Sequence, residues 1–190
     1  MSQRAPDTPT AVIVRACCTT GVGFGADAGT GRPAAVGAPR LECFLAGPAA
    51  TARPVAPPAL FCDSYGSVVC GLPDLPAAEV TDLVVLASPG MRTDSAADFG
   101  TGVRTGATAR NHSHWIGRIP NLRIGDLGHV ADPADRDVGA RVVSSERSRG
   151  HDGCFAPGTG SLHNFADTAL GRHRAVSCAD TDRDCRHELV

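Results

Sequence analysis

An α/β fold with at least one parallel crossover is the class this sequence predicts, on three observations. The apolar runs Ala59 to Cys62 and Leu83 to Ala87 are each the length of a buried strand. Between them Gly66 to Cys70 reads as a short helix, and two strands joined through a helix lie parallel in one sheet. Near the end, Leu162, Phe165, Ala166 and Ala169 recur on one face of a helix over Ser161 to Leu170.

The elements follow in order. Residues 1–58 mix Gly, Pro, Ala and Arg, and the pattern supports only a strand at Ala11 to Val14 and a short helix at Arg40 to Ala46. After the first crossover strand and its helix, LPDLP is a loop, and the second strand stops at Ser88, Pro89 and Gly90. Asp94 and Asp98 read as a solvated face or as caps of a helix beginning near Ser95, ahead of their alternative as paired catalytic carboxylates. Asn121 to Ile124 is a further candidate strand, and His129 to Asp137 is a polar, proline-bearing loop. Beyond Gly171 charged residues alternate without an apolar face, which predicts a frayed polar tail.

At 190 residues the chain has the length of one domain, able to bury roughly 70% of the surface its unfolded form exposes. Only 4% of residues are aromatic, so large core-filling side chains are scarce and many apolar positions are only alanine. All 18 basic residues are arginine, the net charge is −2, and no basic stripe forms, which excludes a nucleic-acid surface. Of the eight cysteines, Cys17 and Cys18 are adjacent, and Cys62 and Cys70 sit in apolar runs where a free thiol acts as a small hydrophobe. These spacings define no disulfide framework. The first apolar run is four residues, too short for a secretory core or a membrane span, so the expectation is a cytoplasmic chain.

The stretch ALFCDSYGSVVCG, Ala59 to Gly71, carries the chemistry. A serine at a sharp strand-to-helix turn, with small residues two positions away on each side, is the pattern of a nucleophile elbow. Here the pattern is CxSxG, with Ser64 between Cys62 and Gly66. The plain alternative is a turn serine bonded to local backbone. Gly21, Gly23 and Ala26, with Glu42 further on, fit a permissive dinucleotide pattern, but Arg15 to Thr20 separate them from the preceding strand. Cys178, Cys185 and His187, or His112 with His114, fall short of the four ligands of a structural zinc site. No cofactor is expected.

Four long blocks then resemble a known family: DLVVLASPGMRTDSAADFGT, HWIGRIPNLRIGDLGH, ADPADRDVGARVVSS and GHDGCFAPGTGSLHNFADTALG. In this order they look like the C-terminal half of an α/β-hydrolase family of unknown function from GC-rich bacteria, over about Ala59 to Gly171. The resemblance implies a partial α/β-hydrolase fold with a mostly parallel sheet. It divides the chain into a poorly defined N-terminal region (1–58), a hydrolase-like domain (59–171) and a polar tail (172–190).

It also implies a triad in the chain order nucleophile, acid, histidine. Ser64 matches the nucleophile and His151 the late histidine, while Tyr65 would lend its backbone N–H to the oxyanion hole. The family's acid precedes a Trp-Ile pair, and His114 stands there; Asp126 and Asp132 are substitutes nearby in sequence. His129 is a rival base. Asp63 stands where the family commonly has histidine, and Cys154 replaces its usual aromatic residue. Residues 15–40 look unlike the family, so a second oxyanion donor is not recognisable and the chain reads as truncated or degenerate. The implied activity is hydrolysis of a small ester or acyl substrate by a Ser-His pair. The competing expectation is a catalytically impaired remnant, with self-association through an exposed sheet edge.

Overall fold

Both apolar runs become neighbouring strands because each can bury two faces. Ala59–Asp63 (β1) and Asp82–Leu86 (β2) pair in parallel with Cys62 opposite Val85, and every residue of β2 is buried. The computed structural model describes residues 7–16, 26–51, 56–73, 75, 79–99, 104–108 and 122–186. It adds Arg104–Thr108 (β3) and Arg141–Val143 (β4) in a four-stranded, all-parallel sheet of order β1-β2-β3-β4.

Strand alternation sorts the side chains into two cores. Cys62, Leu83 and Val85 face Arg32–Thr51 (α1) and Gly66–Cys70 (α2), where Leu41, Leu45, Val68 and Val69 are at most 4% exposed. Phe61, Val84 and Leu86 face Gly160–Ala169 (α3), meeting Leu162 and Phe165, with the Phe61 and Phe165 rings 5.4 Å apart. Each fully buried Leu or Phe in these layers contributes about 1.5–3 kcal/mol. The sheet is thus sandwiched between helices, the arrangement the parallel class requires.

Several elements depart from the expectations. The helix placed at Arg40 to Ala46 is the middle of the longer α1, whose stripe Ala34, Ala38, Leu41 and Leu45 is buried at helical spacing. Ala11 to Val14 forms no strand; Val12, Ile13 and Val14 are 65–92% exposed. Ile124 closes a tight antiparallel bridge with Leu127 rather than sitting in a strand. Ser95 caps a single 3-10 turn, Ala96–Asp98, in a capping box with Asp98.

The cysteine reading is corrected outright. Cys62 is bonded to Cys70, and Cys178 to Cys185. Proximity in the fold makes these pairs: a parallel strand turning directly into a helix brings positions eight residues apart side by side. The tail is corrected too. Residues 177–179 lie along β4, with Ser144 N–H donating to Ser177 O at 2.8 Å and Ala179 N–H to Val142 O at 2.9 Å. Asn164 of α3 joins them, donating to Ser144 O and Ser177 O and accepting from Ser177 N–H. The tail therefore covers the β4 edge, while among the described residues no strand pairs with the outer side of β1. No described helix is long and apolar enough to cross a membrane.

Candidate active site

The end of β1 cannot run straight into α2 without a reversal, and Ser64 supplies it. Its φ is +53°, a left-handed conformation that costs a side-chain-bearing residue about 1–2 kcal/mol. Ser64 N–H still donates to Leu86 O at 2.9 Å, so the residue remains tied to β2 while the chain turns. Ser67, fully buried, takes the other side: its N–H and its hydroxyl both donate to Ser64 O, at 3.0 and 2.6 Å. The Ser67 hydroxyl lies 2.6 Å from that of Ser88, which accepts from Gly90 N–H in the turn after β2. Ser67 and Ser88 were not anticipated, though a serine three residues after Ser64 and one directly after the apolar run Leu83 to Ala87 were visible signals.

The size argument for Gly66 does not hold, because a Cβ built there meets nothing within 4 Å. Gly71 is the glycine whose position is enforced: a Cβ would run into the Met91 backbone. Tyr65 points its side chain away from the turn, its hydroxyl donating to Thr30 O at 2.7 Å and accepting from Ala34 N–H at 3.2 Å. The residue after Ser64 is thereby anchored to the start of α1.

His151 lies partly buried in the loop between β4 and α3, at the same end of the sheet as Ser64. That loop is closed at its base by Gly160 N–H to Glu146 O at 2.8 Å and by the paired hydroxyls of Ser148 and Ser161 at 2.6 Å. His151 is within electrostatic reach of Asp63, the residue before Ser64. Burial pushes the Asp63 carboxyl above the usual range; the His151 ring pulls it down, Asp152 pushes it up, and the Ser64 backbone pulls it down. Asp63 Oδ1 is buried with no hydrogen-bond partner.

His114, with His112, Trp115 and Ile116, lies outside the described residues, as do Gly21, Gly23 and His187. Asp126 is engaged elsewhere: it accepts from Gly31 N–H at the start of α1 and pairs with Arg92 at 3.0 Å and Arg32 at 3.4 Å. Asp132 accepts from Ala134 N–H in its own turn. His129 is 2% exposed, with Nε2 donating to Ala28 O at 2.8 Å and Nδ1 buried without a partner. Burial holds its pKa below the ordinary value, against the Ala28 bond, and Nε2 is committed to the backbone. Cys178 and Cys185 are not available as thiolate ligands, and no cluster of metal-binding side chains occurs among the described residues.

The dinucleotide reading loses its strand, since Ala11 to Val14 is exposed and irregular and Ala26 begins a 3-10 turn. An open cleft of about 470 Å³ lies in the tail, lined by residues that include Ser177, Asp180, Arg183 and Arg186 and none of the elbow.

The family model described as alpha/beta hydrolase matches residues 2–124. This span holds Ser64, Tyr65 and position 114, and it reaches through residues 15–40, which the blocks alone had left outside the resemblance. His151 lies beyond it. No curated protein and no solved structure matches the chain. The chain belongs to the alpha/beta hydrolase family.

Proposed function

We propose that this family member is a serine hydrolase acting on a carboxylic ester or related acyl group, with Ser64 as nucleophile. The observation that carries the reading is the left-handed backbone of Ser64 at the junction of a parallel strand and a helix, the strained turn that pushes a nucleophilic hydroxyl out above a sheet. Ser64 Oγ would attack the carbonyl carbon and pass its proton to His151, which returns it to the leaving group. The Tyr65 backbone N–H would bond the oxygen that gains charge.

The acid is the weak member. Position 114 is histidine, and an imidazole does not supply the negative charge that stabilises the imidazolium; elsewhere its loss has lowered turnover by about 10⁴. A second reading, an impaired remnant, draws on Asp63, whose buried carboxyl oxygen beside the nucleophile opposes a developing oxyanion. For localisation, the two disulfides weigh toward an oxidising setting and against the cytoplasm expected from the short first apolar run.

Fluorophosphonate labelling tests the choice. The wild-type chain should label once, Ser64→Ala should not label, and His151→Ala should label on the order of 10²-fold more slowly. A folded wild-type protein that never labels sinks the hydrolase and leaves the remnant.

A further inference from the structure

We propose that the Cys62–Cys70 disulfide is the clamp that positions Ser64, so that reactivity at Ser64 depends on the oxidised state of this one bridge. The proposal rests on the serine-hydrolase reading for its activity readout and is independent of it for its structural readout.

The bridge encloses the elbow. Cys62 lies two residues before Ser64 on β1, and Cys70 is the last residue of α2, so the closed loop contains the reversal and the whole helix. Within that loop Val68 and Val69 pack in the core and Tyr65 is tied to the start of α1, so α2 is held on the sheet, but neither contact fixes the backbone of the reversal itself. Helix α2 has five residues, and Tyr65 at its start provides no side-chain cap. A helix this short is not self-supporting. Ser64 meanwhile holds a conformation its side chain disfavours, and hydrogen bonds from Ser67 and to Leu86 are what oppose its relaxation from within. A covalent tie between strand and helix removes the extended alternatives.

Opening the bridge removes this constraint with small loss of packing. Cys62 and Cys70 are 2% and 4% exposed in a cluster with Val68, Val69, Leu83 and Val85, and two thiols fill nearly the same space as the disulfide. The exchange balances with a dithiol reductant. One of its thiolates attacks a cysteine sulfur and expels the other cysteine as thiolate; its second thiolate then displaces the first cysteine and closes the oxidised ring. Two electrons pass to the bridge, and two protons finish on Cys62 and Cys70. Because both sulfurs are buried, this bridge should yield after Cys178–Cys185, whose Cys178 is partly exposed.

That ordering supplies the experiment. The full chain is treated with graded dithiothreitol, open cysteines are mapped by alkylation, and each population is followed by fluorophosphonate labelling and by amide hydrogen exchange at Ser64 and Ser67. Opening Cys178–Cys185 alone should leave both readouts within about twofold. Opening Cys62–Cys70 should slow labelling on the order of 10- to 100-fold, speed elbow exchange by a similar factor, and reverse on reoxidation. The double variant Cys62→Ala, Cys70→Ala should match the reduced state. Unchanged exchange at the elbow overturns the clamp, and so does exchange that rises uniformly across the chain, which would make the bridge a general staple. If no form labels, faster exchange confined to the elbow upholds the clamp while the hydrolase reading falls.

Discussion

The two ends of the sheet handle an aspartate in opposite ways. At the amino end, Asp82 opens β2 with its side chain 4% exposed, and its carboxylate accepts from Arg104 at 2.8 and 3.0 Å and lies 2.9 Å from His173 Nε2. At the carboxyl end, Asp63 closes β1 with one oxygen buried and unpartnered and its pKa raised by burial. Backbone follows the same division: Ser64 and Ala87, both with left-handed φ, directly follow β1 and β2. One end satisfies its polar groups and fixes the fold; the other retains strain and an unmet acceptor. Unsatisfied groups and sparsely populated backbone concentrate where a fold does chemistry, and the difference supports the reading proposed for the elbow end.

Breaking the satisfied end should give the largest effect. Asp82→Asn leaves Arg104 and His173 facing a neutral group, and removing one partner of a buried ionic cluster costs about 3–5 kcal/mol. The partial exposure of Arg104 puts the expected loss near the lower figure, about 3 kcal/mol by urea unfolding. Labelling of Ser64 per folded molecule should stay unchanged. Relieving the strained end should do the reverse. Ser64→Gly removes the side chain that disfavours φ +53°, so stability should rise by about 1 kcal/mol while labelling is abolished. A loss of stability in this variant would mean that the left-handed turn is not strained.

This contrast also divides what could be read in the chain from what could not. β1, α2, β2 and α3 were legible because each carries an apolar period of its own. β3, with the sequence RTGAT, and β4, with three residues, carry none; their strand character comes from the hydrogen bonds of their neighbours. In α1, Gly37 and Pro39 interrupt the helical signal, and the buried stripe around them is half alanine. At the candidate site, the turn at Ser64 was legible because a serine between two apolar runs is a local pattern. The Ser67–Ser88 contact was not, since it joins residues that only the parallel crossover brings together, and neither was the Cys62–Cys70 bond, which depends on how closely α2 folds back on β1.

The smallest expected effect tests the contrast most directly. Asp63 has a folded-state pKa above its unfolded value, so the folded chain holds this proton more tightly than the unfolded chain does. The carboxyl therefore costs nothing below about pH 4, costs progressively more as pH rises through the unfolded value of about 3.9 toward the raised one, and has a constant cost above it. Asp63→Asn mimics the protonated form at every pH. Its stability should equal that of wild type at about pH 3 and exceed it at pH 7 by less than about 1 kcal/mol, because solvent reaches this partly exposed side chain and screens it. Labelling should rise a few-fold on the order expected for removing one opposing charge at an oxyanion. Parallel stability curves for the two proteins from pH 3 to pH 7 would make Asp63 an ordinary solvated carboxylate. A fall in labelling would instead show Asp63 holding the His151 ring in place of the acid that the resemblance puts at position 114, and the unsatisfied oxygen would then belong to the catalytic apparatus rather than to its decay.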